Sequence, residues 1–518
     1  MKGQYRLPLY QRINITYQPI NLSTIHRKIY LTLLTLLGGT MVCSYWASNL
    51  VWVLLAANWL LEGRWAEKWQ LARRSRLLHA VLALWALYAL SGLWSADKAQ
   101  WLSQMELILP LLAVPLVVLT TRPPSGRTRR TILWLYAGTV VVVSLIGLVR
   151  MLTIDGLPYR QAVPYISHIR FALGCCLAIV VCLTECGRSR WRFGAWLLAA
   201  WLLVFVFLLR SYTAVAVLSL LSLLLALRAR HRRRWVTVWT LCALAAAGAL
   251  LYEVHRYYRM QPIATAPLQP ATANGRPYDH LRDGLIESGN YVGNYIQLGE
   301  LRTEWARRTQ NSKFTIQNSQ LTEPCLIRYL NALGLPKDSA GVAALTPGQL
   351  AEVASGVPNP AYTHPWPLRR MVHVMLFEYE NYRCYDVVAG FTMLQRLELW
   401  RAAWRVFLRH PWLGTGAGDL QQAMETELRA MDSPLRGSGM YPHSQYLTWL
   451  AMFGTPGAAL LLLLFGRALL RLRRQGVLIA AWAATLAISC LAETTLGSLA
   501  GILLFTWFMA FIKKNSNT

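Results

Sequence analysis

Twelve apolar runs, each near the length that a helix needs to cross a lipid bilayer, constrain this chain more than any other feature. A helix rises about 1.5 Å per residue, so about 20 apolar residues cover a hydrocarbon core of about 30 Å. With 55% hydrophobic residues over 518 positions, the chain is too apolar for a soluble domain. The pattern predicts an all-α integral membrane protein with about twelve transmembrane helices, at about 30–45, 47–61, 77–95, 104–120, 131–151, 169–186, 194–210, 211–228, 235–252, 444–470, 475–492 and 495–512.

The basic residues lie in short connections between these runs. A net charge of +28 would suggest a nucleic-acid partner in a soluble chain. Here the arginines and lysines recur in alternate loops, as expected where positive loops stay on the cytoplasmic side. The charge therefore indicates topology and contact with anionic membrane lipids, and argues against nucleic-acid binding. The cytoplasmic clusters lie within 64–76, 122–130, 188–192, 228–234, 467–474 and 513–514.

This topology divides the chain into five parts. Residues 1–29 form a cytoplasmic segment, 30–252 the first nine spans, 253–442 a large and mostly helical periplasmic loop module, 443–512 the last three spans, and 513–518 a cytoplasmic tail. The sequence assigns no role to residues 256–385. Cys325 and Cys384 are the two cysteines of the external module, and both a disulfide and two separate thiols are compatible with an oxidising compartment.

The stretch from Arg396 to Gly457 combines a helix, a glycine-rich turn and a histidine. Apolar residues recur at helical spacing after Arg396, Pro411 ends the helix, and glycines in "HPWLGTGAG" allow a tight bend. His443 then precedes a long apolar run. A histidine is therefore expected where water meets the membrane.

The stretch from Arg396 to Gly457 resembles the motifs of the O-antigen ligase and polymerase superfamily of integral membrane enzymes. The resemblance comprises an arginine followed four residues later by tryptophan, an "HPWLGTG" turn, and a histidine motif opening a span. It implies a glycosyltransferase of the bacterial inner membrane, with its active site facing the periplasm. Such a ligase moves a polysaccharide from undecaprenyl diphosphate to lipid A-core. The matching positions are Arg396, Trp400, Gly414, Gly416, His443 and Tyr446.

Arginines suit a diphosphate donor because a planar guanidinium makes paired, charge-assisted hydrogen bonds to phosphate oxygens. We assign this role to Arg396 with Arg210 or Arg170, each of which lies at the outer end of a predicted span. The family resemblance implies an arginine near the end of the seventh span, usually as "SR" followed by small residues. This chain reads "RSYTA", so Arg210 and Arg170 both remain candidates.

A general base must take a proton from the acceptor hydroxyl, and histidine suits this role near neutral pH. The motif makes His443 the candidate catalytic residue together with Arg396. The chain contains no DxD motif, the usual metal anchor of nucleotide-sugar transferases, so we expect a reaction without metal or cofactor. Attack opposite the leaving group predicts inversion at the anomeric carbon.

Three alternatives remain open at this point. An O-antigen polymerase would use the same chemistry to extend the lipid-linked chain, and a protein O-oligosaccharyltransferase would use another acceptor. A polytopic transporter or flippase belongs to a different class, and would place ionisable residues near the bilayer midplane on broken helices.

Overall fold

The computed structural model describes residues 22–154, 157–185, 192–281, 284–310, 319–387, 392–472 and 475–512. These residues are mainly helical, and they include a two-stranded antiparallel hairpin in which Glu287 pairs with Asn290. The predicted all-α class is confirmed. The predicted cytoplasmic tail at 513–518 and residues 1–21 of the predicted N-terminal segment lie outside the described residues.

The α-helices in chain order are α1 Leu22–Thr40, α2 Tyr45–Glu62, α3 Trp65–Arg74, α4 Arg76–Ser91, α5 Lys98–Thr120, α6 Gly126–Thr153, α7 His168–Glu185, α8 Arg192–Leu208, α9 Tyr212–Arg228, α10 Arg232–Tyr258, α11 Pro262–Thr265, α12 Leu298–Thr309, α13 Ser319–Ala332, α14 Ser339–Ala343, α15 Pro347–Ala354, α16 Pro367–Tyr385, α17 Thr392–Arg409, α18 Leu420–Ala430, α19 Gln445–Leu472, α20 Val477–Ala492 and α21 Leu499–Phe508. The strands are β1 Ile286–Glu287 and β2 Asn290–Tyr291. Short 3-10 turns lie at Tyr159–Gln161, Pro360–Tyr362, Thr495–Gly497 and Met509–Phe511.

Each of the twelve predicted runs coincides with a helix. Five of these helices are long and apolar enough to cross a membrane, namely α5, α6, α7, α10 and α19. Several others, such as α8 and α20, are apolar but shorter. The number of twelve crossings therefore stays a prediction.

The first helix begins earlier than its apolar run. The prediction placed residues 22–29 in a polar segment, whereas α1 starts at Leu22. His26 explains the extension, since its Nδ1 lies 2.9 Å from the side-chain oxygen of Asn58 in α2. A polar turn of helix can extend beyond the apolar run when a neighbouring helix satisfies its side chains.

The loop module packs against the membrane helices through the glycine-rich turn at residues 411–416. Backbone N–H groups of this turn donate to α19: Thr415 to the carbonyl of Ala451 at 2.9 Å, and Gly416 to that of Met452 at 2.9 Å. In return, the N–H of Thr455 donates to the carbonyl of Pro411 at 2.7 Å. We call this backbone-to-backbone contact the glycine clasp.

Glycine is required on both sides of the glycine clasp. Gly454 interrupts α19 with a φ of 65°, and a Cβ there would lie 2.2 Å from the carbonyl oxygen of Trp412. Gly414 has a φ of 68°, and a Cβ there would lie 2.2 Å from the carbonyl carbon of Met452. The two glycines let two backbones approach where any side chain would separate them.

The segment after the clasp is held by the connection between α4 and α5. The hydroxyls of Ser91 and Ser95 accept hydrogen bonds from the N–H groups of Ala417 and Gly418, both at 3.1 Å. The carboxylate of Asp419 accepts from the N–H groups of Ala96 and Asp97 at 2.7 and 2.8 Å. The end of the loop module is thus fastened to α4, α5 and α19 together.

The middle of the loop module has a hydrophobic core of its own. Leu301, Leu326, Leu330, Val342 and Val353 form a buried cluster apart from the main core. A buried ion pair lies beside it, in which Arg328 Nη2 is 2.8 Å from Glu287 Oε1. Cys325 and Cys384 are separate thiols.

The glycine clasp yields a test of stability. We expect Gly454→Ala to lower the free energy of unfolding by more than about 2 kcal/mol. An alanine with a φ of 65° and a ψ of −171° alone costs about 1–3 kcal/mol, and its methyl group also meets the Trp412 backbone. Thermal unfolding of the detergent-solubilised protein measures the loss.

The matched control for this test is Gly466→Ala. Gly466 lies in the same helix, and nothing lies within 4 Å of a Cβ built there. Alanine favours helices over glycine by about 1 kcal/mol, so this variant should unfold at the same temperature or higher. Equal midpoints for the two variants would contradict the role assigned to the clasp.

Candidate functional site

A single cavity of about 520 Å³ contains all four residues predicted for catalysis and diphosphate binding. It opens where the ends of α7, α8, α17, α19 and α20 meet. Arg170, Arg210, Arg396 and His443 all line it, as do two residues that the sequence analysis missed, Arg160 and Glu493.

Arg396 is fixed by a carboxylate from another helix. Its Nη2 donates to Oε1 of Glu493 at 2.5 Å, and the two side chains are only 13% and 8% exposed. Arg396 lies in the second turn of α17, whereas Glu493 directly follows α20. The pair therefore joins the loop module to the last membrane helices inside the cavity.

His443 contacts the same carboxylate from the other side. Its Nδ1 lies 3.8 Å from Oε2 of Glu493, an ion-pair distance when the imidazole is protonated. The residue has a φ of 50°, a left-handed conformation that is uncommon outside glycine, and lies two residues before α19. Its side chain remains 41% exposed, so one ring nitrogen faces Glu493 while the imidazole stays accessible.

The carboxyl group of Glu493 is ionised between these two partners. Burial raises the pKa of its carboxyl, but the contact with His443 and the positive charges of Arg396 and Arg170 outweigh burial, and the pKa lies below its ordinary value of 4.5. A negative charge therefore lies between a guanidinium and an imidazole. The sequence contained one signal that could have identified Glu493, namely a single acidic residue in the mainly apolar segment "SCLAETTLG". A lone carboxylate near a membrane span is costly without a partner.

Arg210 and Arg170 differ from Arg396 in having no carboxylate within 4.0 Å in the part of the chain that the structure describes. Arg210 lies in the turn between α8 and α9 with a φ of 51°, and its guanidinium lies 5.2 Å from the ring centre of Tyr159. Arg170 is in the first turn of α7, and its buried Nε makes no hydrogen bond to a described residue. Both arginines remain available to an anionic ligand, and the geometry includes both candidates in the cavity.

The other residues of the family motif do not line the cavity. Gly414 and Gly416 belong to the glycine clasp. The hydroxyl of Tyr446 donates to the carbonyl of Ala487 in α20 at 3.0 Å. Trp400 lines a separate and mainly apolar pocket with Trp404. Trp400, Gly414, Gly416 and Tyr446 therefore lie outside the lining of the cavity.

No group of three or more histidine, cysteine, aspartate or glutamate residues is placed to hold a metal ion within the described ranges. The charged residues that line the cavity are four arginines and one glutamate. Such a donor set suits an anion better than a cation.

These features define a class: a helical membrane protein with a cationic cavity for an anionic ligand where its helices end. The O-antigen ligase family model matches residues 370–462, so the chain carries a domain of the O-antigen ligase family. That family supports a ligase- or polymerase-type function. The match contains Arg396, the glycine clasp and His443, whereas Arg170, Arg210 and Glu493 lie outside it. No curated protein matches the chain.

The buried pair of Arg396 and Glu493 predicts a pH-dependent contribution to stability. Since the pKa of Glu493 is lowered on folding, its contribution is present above pH 4.5 and is lost as the pH falls through the folded value. We expect Glu493→Gln to destabilise the protein by about 3 kcal/mol at neutral pH, because Arg396 then loses its buried partner. The difference from the wild type should shrink on acidification.

Unfolding midpoints over a pH series measure this effect, with Glu304→Gln as the control. Glu304 forms a pair with the largely exposed Arg307 at 2.5 Å within α12, and such surface pairs contribute only about 0.3–0.5 kcal/mol. An equal loss in the two variants at neutral pH would rule out a special role for Glu493.

Proposed function

We propose that this protein is a glycosyltransferase of the periplasmic face of the inner membrane, acting as an O-antigen ligase. The donor is a polysaccharide on undecaprenyl diphosphate, and the acceptor is lipid A-core. The observation that carries the proposal is the cavity itself, where His443, a second histidine, His168, and four arginines converge from segments far apart in sequence. The family domain at residues 370–462 supports the same reaction class.

In this proposal the arginines bind the diphosphate. Arg170 and Arg210 have free hydrogen-bond donors for phosphate oxygens, whereas Arg396 is already oriented by Glu493. As the bond between the anomeric carbon and the diphosphate oxygen breaks, its electron pair leaves with the polyprenyl diphosphate. The fixed positive charges neutralise the developing negative charge at that oxygen.

His443 acts as the general base. Its imidazole takes the proton from the acceptor hydroxyl while the oxygen attacks the anomeric carbon from the face opposite the leaving group. The new glycosidic bond therefore has inverted configuration. Glu493 faces Nδ1 of His443 at 3.8 Å, so it favours a proton on that nitrogen and leaves Nε2 to accept the incoming proton. The same carboxylate stabilises the imidazolium that forms. The mechanism requires no metal.

An O-antigen polymerase remains the second candidate, because the family match supports both reaction types. A protein O-oligosaccharyltransferase would differ only in its acceptor. The cavity residues argue against a transporter, since Arg170, Arg210, His443 and Glu493 all lie at or beside helix ends. A transporter would concentrate such charges on broken helices near the bilayer midplane.

Single substitutions test the proposed roles. We expect His443→Ala to lower the transfer rate by about 10²–10⁴-fold through loss of the base. Alanine at Arg396, Arg210 or Arg170 should lower it by roughly 10²-fold through loss of charge stabilisation. Transfer from a polyprenyl-diphosphate glycan to lipid A-core is measured with purified protein in buffer containing EDTA.

The control for this set is His255→Ala, since His255 is exposed on α10 and does not line the cavity. It should transfer at the wild-type rate, and the amount of folded protein in the membrane is checked for every variant. Normal transfer by His443→Ala would remove the assigned base. A wild-type activity that requires added magnesium would contradict the metal-free mechanism.

Lipopolysaccharide from a deletion strain distinguishes ligase from polymerase. We expect cores without any polysaccharide, together with accumulated lipid-linked polymer, because the ligase acts after the chain is complete. Gel electrophoresis of the lipopolysaccharide shows the distribution. Cores that carry a single repeat unit would assign polymerisation instead.

A further inference from the structure

The loop module contains a second cavity, which we call the module pocket. It has a volume of about 350 Å³, within the range of about 300–1,000 Å³ that small-molecule sites occupy. The end of α10, the 3-10 turn at Pro360–Tyr362 and the first half of α16 form its walls. Its charged and imidazole side chains are Glu253, Arg256, Arg259, His364, Arg369 and His373.

Positive charge exceeds negative charge in the module pocket. Glu253 is its one carboxylate, and it lies 3.3 Å from Arg256 and 3.5 Å from Arg369. Arg259 is exposed at the end of α10 and has no carboxylate within 4.0 Å among the described residues. One glutamate therefore serves two of the three arginines, and most of their donors remain available to a ligand.

One buried nitrogen atom in the pocket wall has no hydrogen-bond partner within the described ranges. It is Nδ1 of His373, a side chain only 4% exposed. The other ring nitrogen of His373 lies 3.1 Å from the hydroxyl of Ser288. Burial, followed by the charges of Arg328 and Arg256, lowers the pKa of His373 to about 3, so the imidazole is neutral. Buried polar atoms without partners are uncommon, and a ligand would satisfy them.

The amides of Gln261 and Asn359 hold the pocket wall together. Gln261 Nε2 donates to the carbonyls of Ser288 and Ala332, and Asn359 Nδ2 donates to Glu287 and to the hydroxyl of Ser288. The ring of Tyr257 adds an aromatic surface to the same wall. Aromatic faces pack against apolar surface, and guanidinium groups bind carboxylates and phosphates in a planar geometry.

The helix α16 connects the module pocket with the catalytic cavity. Arg369 lines the pocket, and its neighbour Arg370 lies 5.7 Å from the ring centre of Tyr362. Burial and then the charge of Arg210 lower the pKa of Arg370, which places the Arg370 guanidinium within electrostatic reach of a cavity residue. Two adjacent arginines of α16 therefore relate the two sites, since Arg369 lines the pocket and Arg370 interacts with Arg210 of the cavity.

We propose that the module pocket binds an anionic group, a carboxylate or a phosphate, on a saccharide whose reacting end lies in the catalytic cavity. This inference rests on the proposed transfer function and names a substrate class for it: an acidic glycan, as donor or acceptor. The pocket lies away from the reacting atoms, so it contributes affinity for the substrate and leaves the chemical step unchanged.

Binding is tested with the full-length protein in nanodiscs by titration calorimetry. The probes are galacturonic acid and glucose 1-phosphate, with glucose as the uncharged comparison. We expect either acidic probe to bind at least tenfold more tightly than glucose, and Arg259→Gln to weaken that binding about tenfold. The matched control is Arg302→Gln, because Arg302 is exposed on α12 of the same module and paired with Glu323.

The catalytic cavity is also cationic, so Arg210→Ala is titrated in parallel. Binding that depends on Arg259 and survives Arg210→Ala assigns the probe to the module pocket. Binding that survives Arg259→Gln and is lost in Arg210→Ala assigns it to the cavity and overturns the proposal. Equal affinity for glucose and the acidic probes also overturns it.

Steady-state transfer assays decide which substrate uses the pocket. For Arg259→Gln we expect a raised KM for either donor or acceptor, with kcat within twofold of the wild type. Unchanged KM for both substrates would contradict a role in transfer. The two proposals fail separately. If the acidic probes bind but the protein has no transferase activity, the proposed function is refuted and the pocket stands. If transfer is normal but no binding depends on Arg259, the pocket is refuted and the function stands.

Discussion

The carboxylate of Glu493 is the interaction on which the site depends. It accepts a hydrogen bond from Arg396 at 2.5 Å and lies 3.8 Å from His443. Removing the Arg396 guanidinium and the Glu493 carboxylate from water is costly, and their opposite charges offset much of that cost. The arrangement sets the position of the proposed base relative to a guanidinium. It also ties α17 of the loop module to the end of α20, so the cavity exists only when the module is docked.

Docking in turn depends on the glycine clasp. The turn after Pro411 replaces side-chain packing with main-chain hydrogen bonds to α19 at the point where Gly454 interrupts the helix. Main-chain contacts allow less variation in distance than side-chain packing. The clasp lies between α17, which carries Arg396, and α19, which follows His443. The motif glycines therefore fix the separation of two functional residues without touching the ligand.

The sequence predicted the parts of this site that local patterns encode. The twelve apolar runs predicted helices, and the motif around Arg396 and His443 predicted that both serve one site. Glu493 escaped prediction because its partners lie 97 and 50 residues away, and no local spacing relates them. Arg170 and Arg210 stayed alternatives for a similar reason, since only the packing of α7 beside the turn at Arg210 shows that both line one cavity. The module pocket was equally out of reach, because Arg259 and Arg369 meet only through the docking of α16 on α10.

The three arginines assigned to the diphosphate divide into two kinds, and the division has a chemical reason. Arg396 is neutralised in part by Glu493, whereas Arg170 and Arg210 have no carboxylate partner among the described residues. In the proposed reaction, the diphosphate product gains negative charge as its bond to the anomeric carbon breaks. If all three arginines were unpaired, this product would be held most tightly after transfer and would leave slowly. If every arginine were paired, little charge would remain to attract the donor. One fixed pair and two unpaired guanidiniums would give orientation from the first and electrostatic binding from the others. This combination suits the proposed transferase, which would bind one diphosphate lipid and release another in each cycle.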